Sequence, residues 1–204
     1  MDLKERIIEN ASVLFFQKGV KSMTMSDIAN ELGISKRTLY EVFRDKDDLL
    51  DNCICMQITK ADKAIQALTA QSEDVIDSMM RIYSRTLSQM QSISRLVMYD
   101  LKKYHPHLYK KVEQRQNDNV FMILPLLEKG VKQGLIRNDL NFEIILWLLR
   151  SQFRALVDDG FFPAGKYSMN EFIQAIILTF IRGIATPLGN RRVDDIVEKL
   201  NEVI

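Results

Sequence analysis

Cysteine, histidine and proline are scarce in this chain: its 204 residues include two, two and four of them. Cys53 and Cys55 lie two apart on a predicted helix and so point to different faces. No third cysteine accompanies them, which excludes a zinc cluster built on cysteine spacing and points to a reduced, cytoplasmic protein with buried or idle thiols. Both histidines fall in the single run His105-Pro106-His107, with no Cys, Asp or Glu in ligand spacing, so a surface place at a helix start is expected rather than a metal site. With no nucleophile–base motif and no phosphate-cradling glycine loop, no catalytic residue, metal or cofactor is expected. No apolar run reaches the roughly 20 residues that a membrane span needs. The opening MDLKERIIEN lacks the apolar stretch of a secretory signal. Few prolines, eight glycines and no β-rich alternation predict an all-α chain.

What is present is a hydrophobic content of 47%, enough for a sizeable core in one or two domains. The most informative segment is Thr24 to Lys46, TMSDIANELGISKRTLYEVFRDK. Met25, Ile28, Ala29 and Leu32 repeat at helical spacing behind Thr24, and Thr24 with Asp27 has the form of a capping box. Gly33 stands where a left-handed residue ends a helix, and Ser35 is an N-cap for a second one. In that second helix Leu39, Val42 and Phe43 form one stripe, while Lys36, Arg37, Tyr40 and Arg44 take the other faces, because each residue advances about 100°. The small Ala29, four residues before Gly33, permits a close crossing through a tight turn. The pattern is a helix-turn-helix whose second helix reads DNA.

Bulk charge adds little to that reading. Of 28 basic and 27 acidic residues, the first 46 positions hold eight and seven, leaving 20 of each beyond them. The basic face is confined to the second helix and its end, so nonspecific binding is expected to be weak. Specific binding then needs two copies, reading half-sites roughly 34–36 Å apart.

From Arg6 to Leu49 the chain resembles the N-terminal domain of the tetracycline-repressor (TetR) family. The matching features are an apolar first helix ending in FFQKG, then T-x-x-x-I-A, G-I-S-x-x-T-L-Y-x-x-F and K-D-x-L. The resemblance implies that Thr24, Tyr40 and Lys46 bind phosphates while Lys36, Arg37 and Thr38 face the major groove. Ser35 and Arg44 complete the candidate DNA-binding set. Phosphate contacts position such a protein and base-edge contacts specify sequence. At Val42 the family most often has a histidine or tyrosine that touches phosphate; valine makes no such bond, and Val42 is expected in the core.

Beyond position 46 a larger helical domain, 47–204, is expected. Its predicted helices run from Asp47 to about Leu68, from Glu73 to Met90 and from Ser92 to Tyr104. A long one then runs from Pro106 to Gln133 with a kink at Pro125. A segment from Asn138 to Asp158 follows, then a loop at Gly160–Gly165, a strongly apolar helix from Met169 to Ile184 and a closing amphipathic segment from Val193 to Val203.

The two apolar helices near the end carry more apolar surface than one partner face can bury. Phe142, Leu146, Leu149 and Phe153, with Phe172, Ile176 and Phe180, are the candidate dimer interface; the alternative for either helix is a core position within one subunit. The resemblance implies dimerisation through these helices and a ligand cavity among the helices of 73–133. Met79, Tyr83, Met98, Gln116, Asn119 and Met122 are candidate lining residues, with Met80, Met90 and Phe121 beside them and Arg81, Arg85 and Arg95 as polar anchors. Methionine suits a permissive apolar pocket, although each also suits plain packing. The resulting expectation is a homodimeric repressor whose partners are a palindromic double-stranded operator and a small apolar or amphipathic effector, with no membrane. The alternative is an architectural DNA-binding protein of the same fold without an effector.

Overall fold

The computed structural model describes residues 2–92, 95–157 and 166–201, and within them the backbone alone at 89–92, 95, 96, 116, 117, 119–121, 157 and 199–201. Among the described residues the chain forms eleven α-helices and no strand beyond one isolated bridge, Ile136 to Ala185. In order they are α1 (Leu3–Lys18), α2 (Met25–Glu31), α3 (Lys36–Val42), α4 (Lys46–Ala70), α5 (Val75–Ser92), α6 (Arg95–Tyr104), α7 (Pro106–Phe121), α8 (Leu124–Lys132), α9 (Phe142–Val157), α10 (Met169–Ile184) and α11 (Pro187–Asn201). None is long and apolar enough to cross a membrane.

The caps explain most of these boundaries. Asp2, Thr24 and Ser168 each close a capping box with the acidic residue three positions on, and Ser35 accepts from the Thr38 N–H. Each satisfies backbone donors that a helix start leaves open. Asp45 and Asp48 do the same for α4: Asp45 accepts the Asp48 N–H at 2.8 Å and Asp48 accepts the Arg44 N–H at 3.0 Å.

Two predicted boundaries are corrected. Pro125 does not kink one long helix; the chain breaks after Phe121, and Pro125 lies in the first turn of α8. A proline ring clashes with the preceding turn in a helix interior but costs nothing where the N–H is unpaired anyway. The closing helix begins at Pro187, six residues before the predicted start, with the Thr186 hydroxyl accepting the Gly189 N–H at 3.1 Å. The predicted loop at 160–165 lies outside the described residues.

The chain divides into two compact units, 1–64 with 91–115 and 65–90 with 116–204. The first packs Ile7, Ala11 and Phe15 of α1 against Ile28, Leu39, Phe43, Leu49 and Cys53, and Val97, Leu101 and Leu108 belong to the same core. The second is built on Val75, Ile76, Leu127, Leu146, Ile173, Ile177 and Ile181.

The thiols differ sharply. Cys53 is buried, and loss of solvation pushes its thiol up to about 11 from 9.0, whereas Cys55 is exposed with the Lys111 ammonium 3.1 Å away. In the unfolded chain Cys53 ionises first. Its contribution to stability is therefore intact below about pH 9 and lost as pH rises towards about 11. A thiol reagent at pH 8 should label one equivalent quickly, at Cys55, and the second only on unfolding; two fast equivalents would contradict the packing of Cys53.

Candidate nucleic-acid interface

α2 and α3 meet through a four-residue turn whose geometry follows from its sequence. Gly33 has φ of +64°, a left-handed conformation that a side chain would strain. Its N–H bonds the Asn30 carbonyl at 3.1 Å, and Ile34 N–H reaches back to Ala29 at 3.0 Å. Ala29 is buried to 2% exposure, as a close crossing requires. Leu39 and Phe43 point into the core, and Val42 packs partly buried against it.

The opposite side of α3 is turned outward. Lys36, Arg37 and Tyr40 are exposed, Thr38 is half-buried, and the capping residues Thr24 and Ser35 lie at the surface. The Lys36 ammonium stands 5.8 Å from the centre of the Tyr40 ring. Arg37 donates from Nε to Glu41 at 2.9 Å, and Arg44 likewise to Asp45 at 2.9 Å. Exposed ion pairs of this kind contribute little, so a guanidinium exchanges such a carboxylate for a phosphate or a base edge at small cost.

Lys46 opens α4 and is half-buried. Burial pushes its ammonium down, and the carboxylates of Asp100, Asp47 and Asp27 pull it up. Asp27 itself is held below the usual carboxylate range by its hydrogen bonds from Thr24. The outward side of α3, the two N-caps Thr24 and Ser35 and the half-buried Lys46 all belong to the same compact unit.

Residues 7–53 match the family model for bacterial regulatory proteins of the tetR family. That segment is a TetR-family DNA-binding domain. It is 25% identical over 89% of its length, and 95% of the relative's, to the HTH-type transcriptional regulator YvaF of Bacillus subtilis. It is 21% identical to the transcriptional repressor KstR2 of Mycolicibacterium smegmatis, over 92% of this chain and 93% of that one. A transcriptional regulator from Saccharomonospora viridis, solved in complex with choline, shares the fold with a TM-score of 0.73 at 20% identity, covering 90% of this chain and 97% of that one. This TetR-family regulator is accordingly a DNA-binding transcription factor and not an enzyme.

The other predicted residues are distributed unevenly. Met79 and Tyr83 are buried in the core of the second unit, with Met80 beside them, while Met98 packs against the core of the first. Met122 is 50% exposed. The side chains of Gln116 and Asn119, and those of Met90, Arg95 and Phe121, lie outside the described residues. Arg81 and Arg85 line a groove of about 470 Å³ in the second unit, with Leu68, Met80, Ser84 and Ile196.

On α9, Leu146 and Leu149 face the interior, at 0% and 6% exposure, while Ile144, Trp147 and Leu148 are 57%, 49% and 56% exposed. Phe142, Phe153, Phe172, Ile176 and Phe180 are partly buried against the subunit core. The predicted α9 stripe of Phe142, Leu146, Leu149 and Phe153 thus faces the subunit core. The helix is apolar nearly all round, FEIILWLL, so periodicity alone does not say which stripe faces out.

His105 is also corrected: it is buried, with Nδ1 2.7 Å from the Asp47 carboxylate, while exposed His107 lies 3.4 Å from the same group. Proline between them starts α7 and turns both rings toward the start of α4, a tertiary placement that spacing did not reveal.

Proposed function

We propose that this regulator is a cytoplasmic homodimeric repressor that leaves a palindromic operator when a small amphipathic effector binds its body. In this division of labour residues 1–46 read DNA and 47–204 bind effector and partner. The observation that carries the dimer is the outward stripe Ile144, Trp147 and Leu148, three large apolar side chains about half exposed on one face of α9. A contiguous apolar patch on a chain of this kind marks an interaction surface, and a two-fold axis covers it by setting it against its own copy.

The effector reading is supported by the groove on α5. Leu68, Met80 and Ile196 supply an apolar side, and Arg81, Arg85, Ser84 and Ser88 a polar one. Leu68 belongs to α4, the helix that begins at Lys46, so a ligand seated there bears on a rod about 37 Å long whose other end carries a phosphate contact. A coupling of about 1–3 kcal/mol between the sites changes operator affinity by roughly 5- to 150-fold.

The test is sedimentation velocity with fluorescence anisotropy on DNA from the regulator's own upstream region. Wild-type protein should sediment as a dimer and bind with two protomers per site. Trp147→Glu should sediment as a monomer and lose at least tenfold in affinity for the palindrome while keeping its helical circular dichroism. A Trp147→Glu protein that remains dimeric would overturn the assignment of this stripe.

A further inference from the structure

Outside the helix-turn-helix, the first unit carries a second cationic surface at the end of α6. Tyr99 and Tyr104 are 46% and 39% exposed. The Lys103 ammonium lies 5.3 Å from the centre of the first ring and 5.5 Å from that of the second, and donates to the Tyr99 hydroxyl at 2.9 Å. The Lys21 ammonium lies 5.0 Å from the Tyr104 ring. Cations held over aromatic faces sit in a narrower set of rotamers than free lysines and lose less entropy on meeting an anion. The macrodipole accounts for Lys103 in the last turn of α6. It does not account for Lys21, which comes from another segment, or for two half-exposed tyrosines between the lysines.

The cluster is tied to the DNA-reading face. Asp100, 1% exposed, accepts the Lys21 N–H at 2.7 Å and so anchors the turn between α1 and α2 on α6. Three residues after Lys21 comes Thr24, the cap of α2. The Asp100 carboxylate also acts on the Lys46 ammonium at the start of α4. One buried acid thus joins the α6 cluster to the turn that leads into the helix-turn-helix. The whole chain carries a formal charge of only +1, so attraction for a polyanion has to come from local groups such as these.

We propose that Lys21, Tyr99, Lys103 and Tyr104 form a second phosphate-binding surface that grips the DNA backbone outside the base pairs read by α3. Lysine ammoniums and tyrosine hydroxyls are phosphate donors that carry no sequence information, so the cluster adds footprint and affinity without changing specificity. The inference rests on DNA binding alone and is independent of the dimer and effector readings.

The experiment uses the full-length protein and an operator isolated by in vitro selection from a random duplex pool. Anisotropy is measured on the minimal duplex and on one extended by ten base pairs at each end. Wild type should bind the extended duplex more tightly. Lys21→Gln/Lys103→Gln should keep its affinity for the minimal duplex and lose the gain from extension. Its slope of log K against log salt on the long duplex should fall by about 0.9 for each lysine that leaves a phosphate. Tyr99→Phe, which keeps the ring and removes one donor, should lose part of the gain, and unchanged thermal unfolding shows that the fold is intact. Arg37→Ala is the control: it should weaken both duplexes equally, which separates failure of the reading helix from failure of the cluster. Equal affinity of wild type for the two duplexes, or an unchanged gain in the double variant, overturns the proposal. So does wild-type binding to phosphatidylglycerol vesicles that the double variant loses with its DNA binding unaltered, which would make the cluster a membrane contact.

Discussion

Gly189→Ala is expected to destabilise the second unit by about 3 kcal/mol, at the upper end for an overpacked site. A Cβ at this position would stand 2.1 Å from the Leu135 carbonyl oxygen and 3.2 Å from the Ala185 Cβ. The first turn of α11 rests on that strip of backbone: Thr186 N–H bonds the Leu135 carbonyl at 3.0 Å, its hydroxyl bonds Gly134 at 2.8 Å, and Arg137 N–H bonds Ile184 at 2.9 Å. No side-chain rotation relieves a clash with main chain, so α11 has to lift and those bonds stretch with it. Alanine's better helix propensity returns at most about 1 kcal/mol.

Gly130 provides the internal comparison. Its Cβ would meet Ile136 Cγ1 at 2.4 Å and Val75 Cγ1 at 2.8 Å, both side-chain atoms that move more cheaply than backbone. Gly130→Ala should therefore cost less, about 1–2 kcal/mol. Calorimetry should place the Gly189→Ala transition on the order of ten degrees below wild type, with Gly130→Ala between them. A Gly189→Ala protein as stable as wild type would mean that α11 does not seat on the Leu135 carbonyl.

The parts of this fold that could be read in the chain are those decided locally. Thr24, Asp27, Gly33 and Ser35 act within a turn of their own positions, and the helix-turn-helix came out at the predicted residues. Helix α10, started by Ser168 and apolar on a wide stripe, did so as well. What could not be read were choices made by distant partners. The orientation of α9 depends on which stripe finds the second core, and eight nearly continuous apolar residues leave that undecided. Asp100 looks like a solvated charge on α6 until the α1–α2 turn is brought to it from 79 positions away. His105 acquires its carboxylate in the same way. Proline is ambiguous for a different reason: the pattern around Pro125 suits either a kink or a restart, and the break after Phe121 settles it as a restart.

The largest effect on DNA binding is expected from Arg37. Its guanidinium is exposed on the outward side of α3 and paired with Glu41 at 2.9 Å. A guanidinium that reaches guanine O6 and N7 contributes about 1–3 kcal/mol of discrimination. On a palindrome the loss counts once in each half-site, giving about 2–6 kcal/mol, or roughly 30-fold to 10⁴-fold in affinity. Arg37→Ala should therefore bind the operator far more weakly and approach the affinity that wild type shows for a shuffled duplex. Its thermal stability should be almost unchanged, because an exposed i,i+4 pair is worth only a few tenths of a kcal/mol. Lys46→Gln separates the two kinds of contact. Lys46 lies at the start of α4 rather than on the reading helix. Its loss should weaken operator and shuffled DNA by the same factor and reduce the salt slope by about one for each protomer. Titrations of both variants on both duplexes, at two salt concentrations, decide the assignment. If Arg37→Ala weakened the two duplexes equally, Arg37 would be a phosphate contact, and base reading would pass to Lys36 and Thr38.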